Sequence, residues 1–108
     1  MLRHLLYSVL TFKQYLKVIS WGYFVSFELG LLKNDPYYRF TYLLRNVVEK
    51  KDVIVDIGAN LGYFTRLFAK WVGDAGFVYA IEPIKPILEV LEKNVKGFKN
   101  VEILPYAL

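Results

Sequence analysis

The sequence of 108 residues predicts an α/β fold: a small parallel sheet preceded by apolar helices. Three observations carry that expectation. Short β-branched runs, "DVIVDIG", "FVYAIE" and "VEILPYAL", alternate with two amphipathic stretches, an order that implies right-handed crossovers and parallel strands. The connections between them are short. The first run also ends in a glycine turn, "DIGANLG", at the strand-to-helix junction where open α/β sheets bind ligands.

Residues 1–35 read as an apolar helical segment, "LLYSVLTFKQYLKVISWGYFVSFELGLL" being apolar almost all round. Lys13, Gln14, Lys17 and Glu28 interrupt the run, so it lacks the long charge-free stretch of a membrane span. It is expected to pack on the domain. Membrane-surface contact through residues 5–32 is the alternative, with aromatic rings at headgroup level and Lys13 and Lys17 facing anionic lipid.

"NDPYYRF" breaks the helix, because Pro36 disfavours helical backbone at Asp35. Residues 36–108 then form the second unit. "FTYLLRNVVEK" sets Phe40, Leu43, Leu44, Val47 and Val48 at helical spacing, predicting a helix that packs on the sheet and leads into the first strand. "DVIVDIG" is a continuous apolar run, the pattern of a strand buried on both faces. "LGYFTRLFAKWV" places Leu61, Phe64, Leu67, Phe68 and Trp71 on one stripe and stops at "GDAG". "KPILEVLEKNV" is a second helix, with Pro86 in its first turn and Ile87, Leu88, Leu91 and Val95 on one face.

Composition narrows the class. Hydrophobic residues make up 56% of the chain and aromatics 18%, ample material for a core. The absence of cysteine excludes a disulfide scaffold and thiolate metal sites, and no metal-ligand cluster stands out. The net charge of +4 sits in residues 1–50, where seven Lys/Arg face three acids. Residues 51–108 carry seven of each sign. No nucleic-acid partner is expected, and His4, the single histidine, has no expected role. A cytoplasmic location, at most peripheral to a membrane, is the expectation.

Three ligands compete for the turn. A triphosphate loop needs Lys-Ser/Thr after its last glycine, and none is present. A dinucleotide fingerprint needs a middle glycine where Asn60 stands. S-adenosylmethionine carries no phosphate and needs a partner for its ammonium group, which Asp56 can supply. Gly58 and Gly62 let the backbone bend beneath such a ligand. Glu82 ends the second strand and can accept both ribose hydroxyls. Asp56 as a backbone cap, Asn60 as a left-handed turn residue and Glu82 as a solvated strand end are the structural alternatives. Tyr63 can face the pocket.

"VDIGANLGYFT", "GFVYAIEPIKPILEVLEKNV" and "NVEILPYAL" together resemble the FkbM-type S-adenosylmethionine-dependent methyltransferases. The matching positions are Asp56–Thr65, Glu82–Pro83, Leu91–Asn94 and Ala107–Leu108, within residues 50–108. Lys85 departs from the small or acidic residue frequent there. The resemblance implies a Rossmann-like class I methyltransferase half-domain with parallel strands in order 3-2-1. It implies cofactor contacts from Asp56, Gly58, Ala59, Asn60, Gly62, Tyr63 and Glu82, with the catalytic residue unassigned. The implied reaction is O-methyl transfer to a hydroxyl of a small molecule, sugar or lipid.

Only the 3-2-1 half of the resembled sheet is present. A truncated reading frame is the expectation, and the 108-residue chain alone is expected to bind cofactor weakly and to be inactive. Strand 1 then keeps a bare apolar edge prone to self-association, unless the first 50 residues or a second copy cover it. The competing reading is a non-catalytic membrane-associated or partner-binding protein carrying a Rossmann-like remnant.

Overall fold

The computed structural model describes residues 1–108. Two helices open the chain, α1 (Leu2–Val9) and α2 (Phe12–Glu28). The apolar run is broken at Leu10, whose backbone is extended, and restarted by Thr11. Thr11 Oγ1 accepts the Gln14 N–H at 3.3 Å, and Gln14 Oε1 accepts the Thr11 N–H at 2.9 Å. This reciprocal pair satisfies two of the unpaired donors of a helix start. Gly30, at φ +73°, ends α2: its N–H donates to the Phe27 carbonyl and that of Leu31 to the Ser26 carbonyl, a Schellman closure. No helix is long and apolar enough to cross a membrane.

Asp35 makes the expected turn, its Oδ1 accepting the Tyr37 N–H at 2.9 Å. Helix α3 (Arg39–Leu44) is only six residues long and does not lay its predicted stripe on the sheet. Phe40, Leu43 and Val47 are exposed, while Thr41 is buried. The helix is held instead by α2: the Tyr42 ring stacks on Phe27 with centroids 4.2 Å apart, and its hydroxyl donates to the Phe27 carbonyl. Of the predicted stripe, Val48 does reach the core, against Ala69, Val72 and Val78.

Strands β1 (Val53–Ile57), β2 (Phe77–Ile81) and β3 (Val101–Leu104) form a parallel sheet in the order β1-β2-β3, with β2 in the middle. Helices α4 (Tyr63–Val72) and α5 (Lys85–Val95) make the crossovers, as predicted. Two consecutive right-handed crossovers that advance in one direction put both helices on one face. That face carries Ile54, Asp56, Val78, Ala80, Val101 and Ile103, packed under Ala69 and Val72 of α4 and Leu91 and Val95 of α5. Val78, Ala80 and Leu91 are completely buried.

At β1 the opposite face is open to solvent, while Ile81 of β2 on that side is buried. Val53, Val55 and Ile57 are 67%, 55% and 64% exposed, so the first strand is not buried on both sides as its composition suggested. The other edge of β1 has no paired strand either. The first 50 residues leave both open, because α2 packs on α5 and α4 across the outer side of the helical layer. Lys13 pairs with Glu89 and Lys70 with Glu28 along that seam. Phe64 likewise departs from its predicted core role. It is 37% exposed and stacks along the helix on Phe68, while Thr65, Leu67, Ala69 and Val72 are the buried positions of α4.

Candidate functional site

The turn after β1 is built by three residues in left-handed backbone: Gly58 (φ +72°), Asn60 (φ +54°) and Gly62 (φ +91°). The Gly58 and Ala59 N–H groups both donate to the Ile81 carbonyl at 2.9 Å, which pins the turn to the end of β2. The Gly62 N–H donates to the Ala59 carbonyl and closes it. The two glycines serve different needs. A Cβ on Gly62 would stand 3.0 Å from Leu91 Cδ1, so this glycine lets the start of α4 approach α5. A Cβ on Gly58 would meet nothing within 4 Å, so open space lies beside the turn there.

Asp56 projects from β1 into the helix-covered face, where it is 9% exposed. Thr65 Oγ1 donates to its Oδ2 at 2.6 Å. Burial pushes the carboxyl pKa up, and the Thr65 hydrogen bond pulls it part of the way back. The other carboxylate oxygen accepts no hydrogen bond from the chain and has access to solvent. Thr65 was not among the predicted site residues, although it closes the sequence motif.

Glu82, 5% exposed, is a bridge rather than a solvated strand end. Its Oε2 accepts the Asn60 N–H at 3.0 Å and its Oε1 the Ile84 N–H at 3.2 Å, tying the turn after β1 to the loop after β2. Each oxygen keeps a further lone pair for a ligand hydroxyl. Asp56, Gly58, Ala59, Asn60, Gly62 and Glu82 are therefore gathered at the carboxyl end of the first two strands. Tyr63 is not part of that group. Its ring packs edge-on against Tyr23 of α2, centroids 4.5 Å apart. It lines an aromatic cavity of about 370 Å³ with Tyr23, Tyr37, Tyr38, Phe40 and Phe64. Burial pushes the Tyr63 hydroxyl pKa up, and that of Tyr23 up to about 12.

Asn94, in the motif but without an expected role, ties the site to the N-terminal helices. Its Nδ2 donates to the Leu61 carbonyl at 2.8 Å and to Ser20 Oγ at 3.1 Å. Arg66 donates to the Asn94 carbonyl and lies over the Phe24 ring at 4.3 Å.

Acids can complement the cationic, phosphate-free S-adenosylmethionine. Asp56 has an oxygen to spare, Glu82 has unused lone pairs, and the space beside Gly58 is clear of side chains. The fold is that of the first half of a Rossmann-like methyltransferase domain, three parallel strands with the glycine turn and two acids at their carboxyl ends. A sequence model described as Protein-L-isoaspartate(D-aspartate) O-methyltransferase (PCMT) matches residues 36–104, and the chain belongs to that family. The methyltransferase resemblance thus holds, and the narrower FkbM-type assignment finds no support among these matches.

Relatives agree at this level. The Protein-L-isoaspartate O-methyltransferase of Methanosarcina mazei is 36% identical over 53 residues, covering 47% of this chain and 22% of that protein. A Pyrococcus furiosus protein named Probable ribosomal RNA small subunit methyltransferase A is 42% identical over 57 residues, or 53% of this chain and 19% of that protein. The crystal structure of a SAM-dependent methyltransferase from Aquifex aeolicus superposes with a TM-score of 0.57 at 26% identity, covering 68% of this chain and 43% of that one. The chain thus matches about a fifth of the length of these two curated relatives.

Proposed function

We propose that residues 36–108 hold S-adenosylmethionine for methyl transfer to an oxygen nucleophile, with residues 1–35 as a separate helical segment packed on the outside. The observation that carries this reading is the Glu82 bridge between the two ligand-facing loops. When bound, the cofactor supplies an electrophilic methyl group on a sulfonium. Asp56 is suited to its ammonium end and Glu82 to its ribose hydroxyls, while Gly58, Ala59, Asn60 and Gly62 form the floor beneath it. Fixing both ends of the cofactor orients the methyl for in-line attack, which lowers the entropic part of the barrier. The family match beginning at residue 36 supports the division.

The PCMT description names O-methyl transfer, and the sequence motifs resemble another O-methyltransferase group, so oxygen is the favoured acceptor atom. A hydroxyl of a small molecule, sugar or lipid is the acceptor that resemblance favours. A protein carboxylate is the acceptor suggested by the PCMT relatives, and the Pyrococcus relative reopens nucleic acid as an acceptor class. Titration calorimetry with S-adenosylmethionine tests the cofactor site. Heat of binding from the chain, reduced in Asp56→Ala and Glu82→Ala, supports the assignment, and equal heats from all three remove it.

A further inference from the structure

Helix α1 leaves most of its apolar stripe in water. Leu2, Leu5, Leu6 and Val9 fall on one stripe of it, and Arg3, Tyr7, His4 and Ser8 on the other. Contact with α2 runs through Tyr7, whose ring stacks on Tyr15 with centroids 4.0 Å apart, and these two tyrosines lie beside the Arg3 guanidinium and raise its pKa. Of the apolar stripe Leu6 is half-buried, while Leu2, Leu5 and Val9 face water at 70%, 61% and 73% exposed, and α1 has no fully buried residue.

Helix α2 packs an aromatic side inward and also leaves apolar residues in water. Its inward side carries Ser20, Tyr23, Phe24 and Phe27, which touch Asn94, Tyr63, Arg66 and Tyr42. Its outward side carries Val18 and Trp21, 42% and 66% exposed. A helix of eight residues has little stability of its own, so a face this apolar needs a cover to persist. The charge says which. Residues 1–27 contain Arg3, Lys13 and Lys17 and no acid, Glu28 being the first in the chain. Lys13 is tied to Glu89, which leaves Arg3 and Lys17 without an acid partner. Exposed apolar residues beside these two cations, with an exposed tryptophan, suit the headgroup region of an anionic bilayer.

We propose that the outward faces of α1 and α2 form a docking surface for an anionic phospholipid bilayer, on which the chain lies without crossing. This surface is independent of the methyl-transfer reading. Flotation of the full chain with phosphatidylcholine vesicles, with and without phosphatidylglycerol, tests it. The chain floats with the phosphatidylglycerol vesicles, floats less with phosphatidylcholine alone, and is released as salt rises. Leu5→Glu/Val9→Glu lowers partitioning at least about tenfold, the scale set by keeping two aliphatic side chains in water. Because α1 contributes nothing to the core, the urea midpoint of this variant stays that of the parent chain. Val55→Glu, on the bare sheet face, leaves flotation unchanged.

Failure to float with phosphatidylglycerol vesicles overturns the proposal. So does undiminished flotation of Leu5→Glu/Val9→Glu, or loss of flotation in Val55→Glu, which would move the contact to the sheet. A concentration-dependent dimer that Leu5→Glu/Val9→Glu abolishes, in a chain that does not float, would assign the surface to a second copy and overturn it equally.

Discussion

Glu82 and Asn60, 22 positions apart, are joined by a 3.0 Å hydrogen bond from the Asn60 backbone N–H to a Glu82 carboxylate oxygen. The bond holds a left-handed residue in the middle of the glycine turn and fixes the Glu82 carboxylate at the same end of the sheet as Asp56. The acid is thus structural before any ligand arrives. Glu82→Ala removes the acceptors of two partly buried N–H groups and should cost about 1–3 kcal/mol. Urea denaturation gives the loss. The amide resonances of Asn60 and Ile84 should shift in the same variant, and unmoved resonances would deny the bridge.

Asp56 sets a pH dependence. Its folded pKa is raised from 3.8 by burial, so the folded state binds its proton more tightly than the unfolded state does. Stability from this group is complete below pH 3.8 and is lost as pH rises through the raised folded value. Asp56→Asn keeps an oxygen acceptor for Thr65 and removes the charge. It should abolish this decline with rising pH while weakening S-adenosylmethionine binding. Denaturation midpoints across acid and neutral pH, paired with calorimetry, measure both effects, and a parallel pH profile in the two proteins would contradict the assignment.

Gly58 and Gly62 should separate stability from binding. Gly62→Ala incurs left-handed strain and pushes a Cβ against Leu91, for about 2–4 kcal/mol of lost stability. Gly58→Ala carries the strain alone, about 1–2 kcal/mol. Its new methyl occupies the open space beside the turn, so at matched folded fraction Gly58→Ala should impair cofactor binding more. Denaturation and calorimetry on the pair give both orders.

The uncovered face of the sheet predicts self-association. Val53, Val55 and Ile57 project from a strand whose other edge is also unpaired, and the one charge on that strand, Asp56, points to the helix-covered face and leaves the open face apolar. Sedimentation velocity should show mass rising with concentration, and Val55→Lys should return the chain toward monomer. Unchanged association in Val55→Lys would place the contact elsewhere.

Residues 51–108 were legible because each element there is locally consistent. β-branched runs, glycine stops and one-sided helices point to the same fold, and the acids stand at strand ends. Residues 1–44 were less so. The break at Leu10 depends on the Thr11–Gln14 pair, which is a small signal inside an apolar run. The landing place of α3 depends on Phe27, fifteen residues before Tyr42. Tyr63 follows Gly62 directly, yet its direction is set by Tyr23 on another helix, a contact no local pattern encodes.

By itself the sequence determined the order of elements, the parallel sheet, the glycine turn and the acids that flank it. Periodicity, backbone preference and spacing are local properties, and they suffice for that. Only the tertiary structure decided which apolar surfaces are covered. A β-branched strand looks the same whether one or both of its faces are buried, and α1 looks amphipathic whichever side it turns inward. Burial depends on what else is packed nearby. Here both crossovers run the same way, which leaves Val55 in water, and Tyr15 takes the polar side of α1, which leaves Leu5 and Val9 facing out.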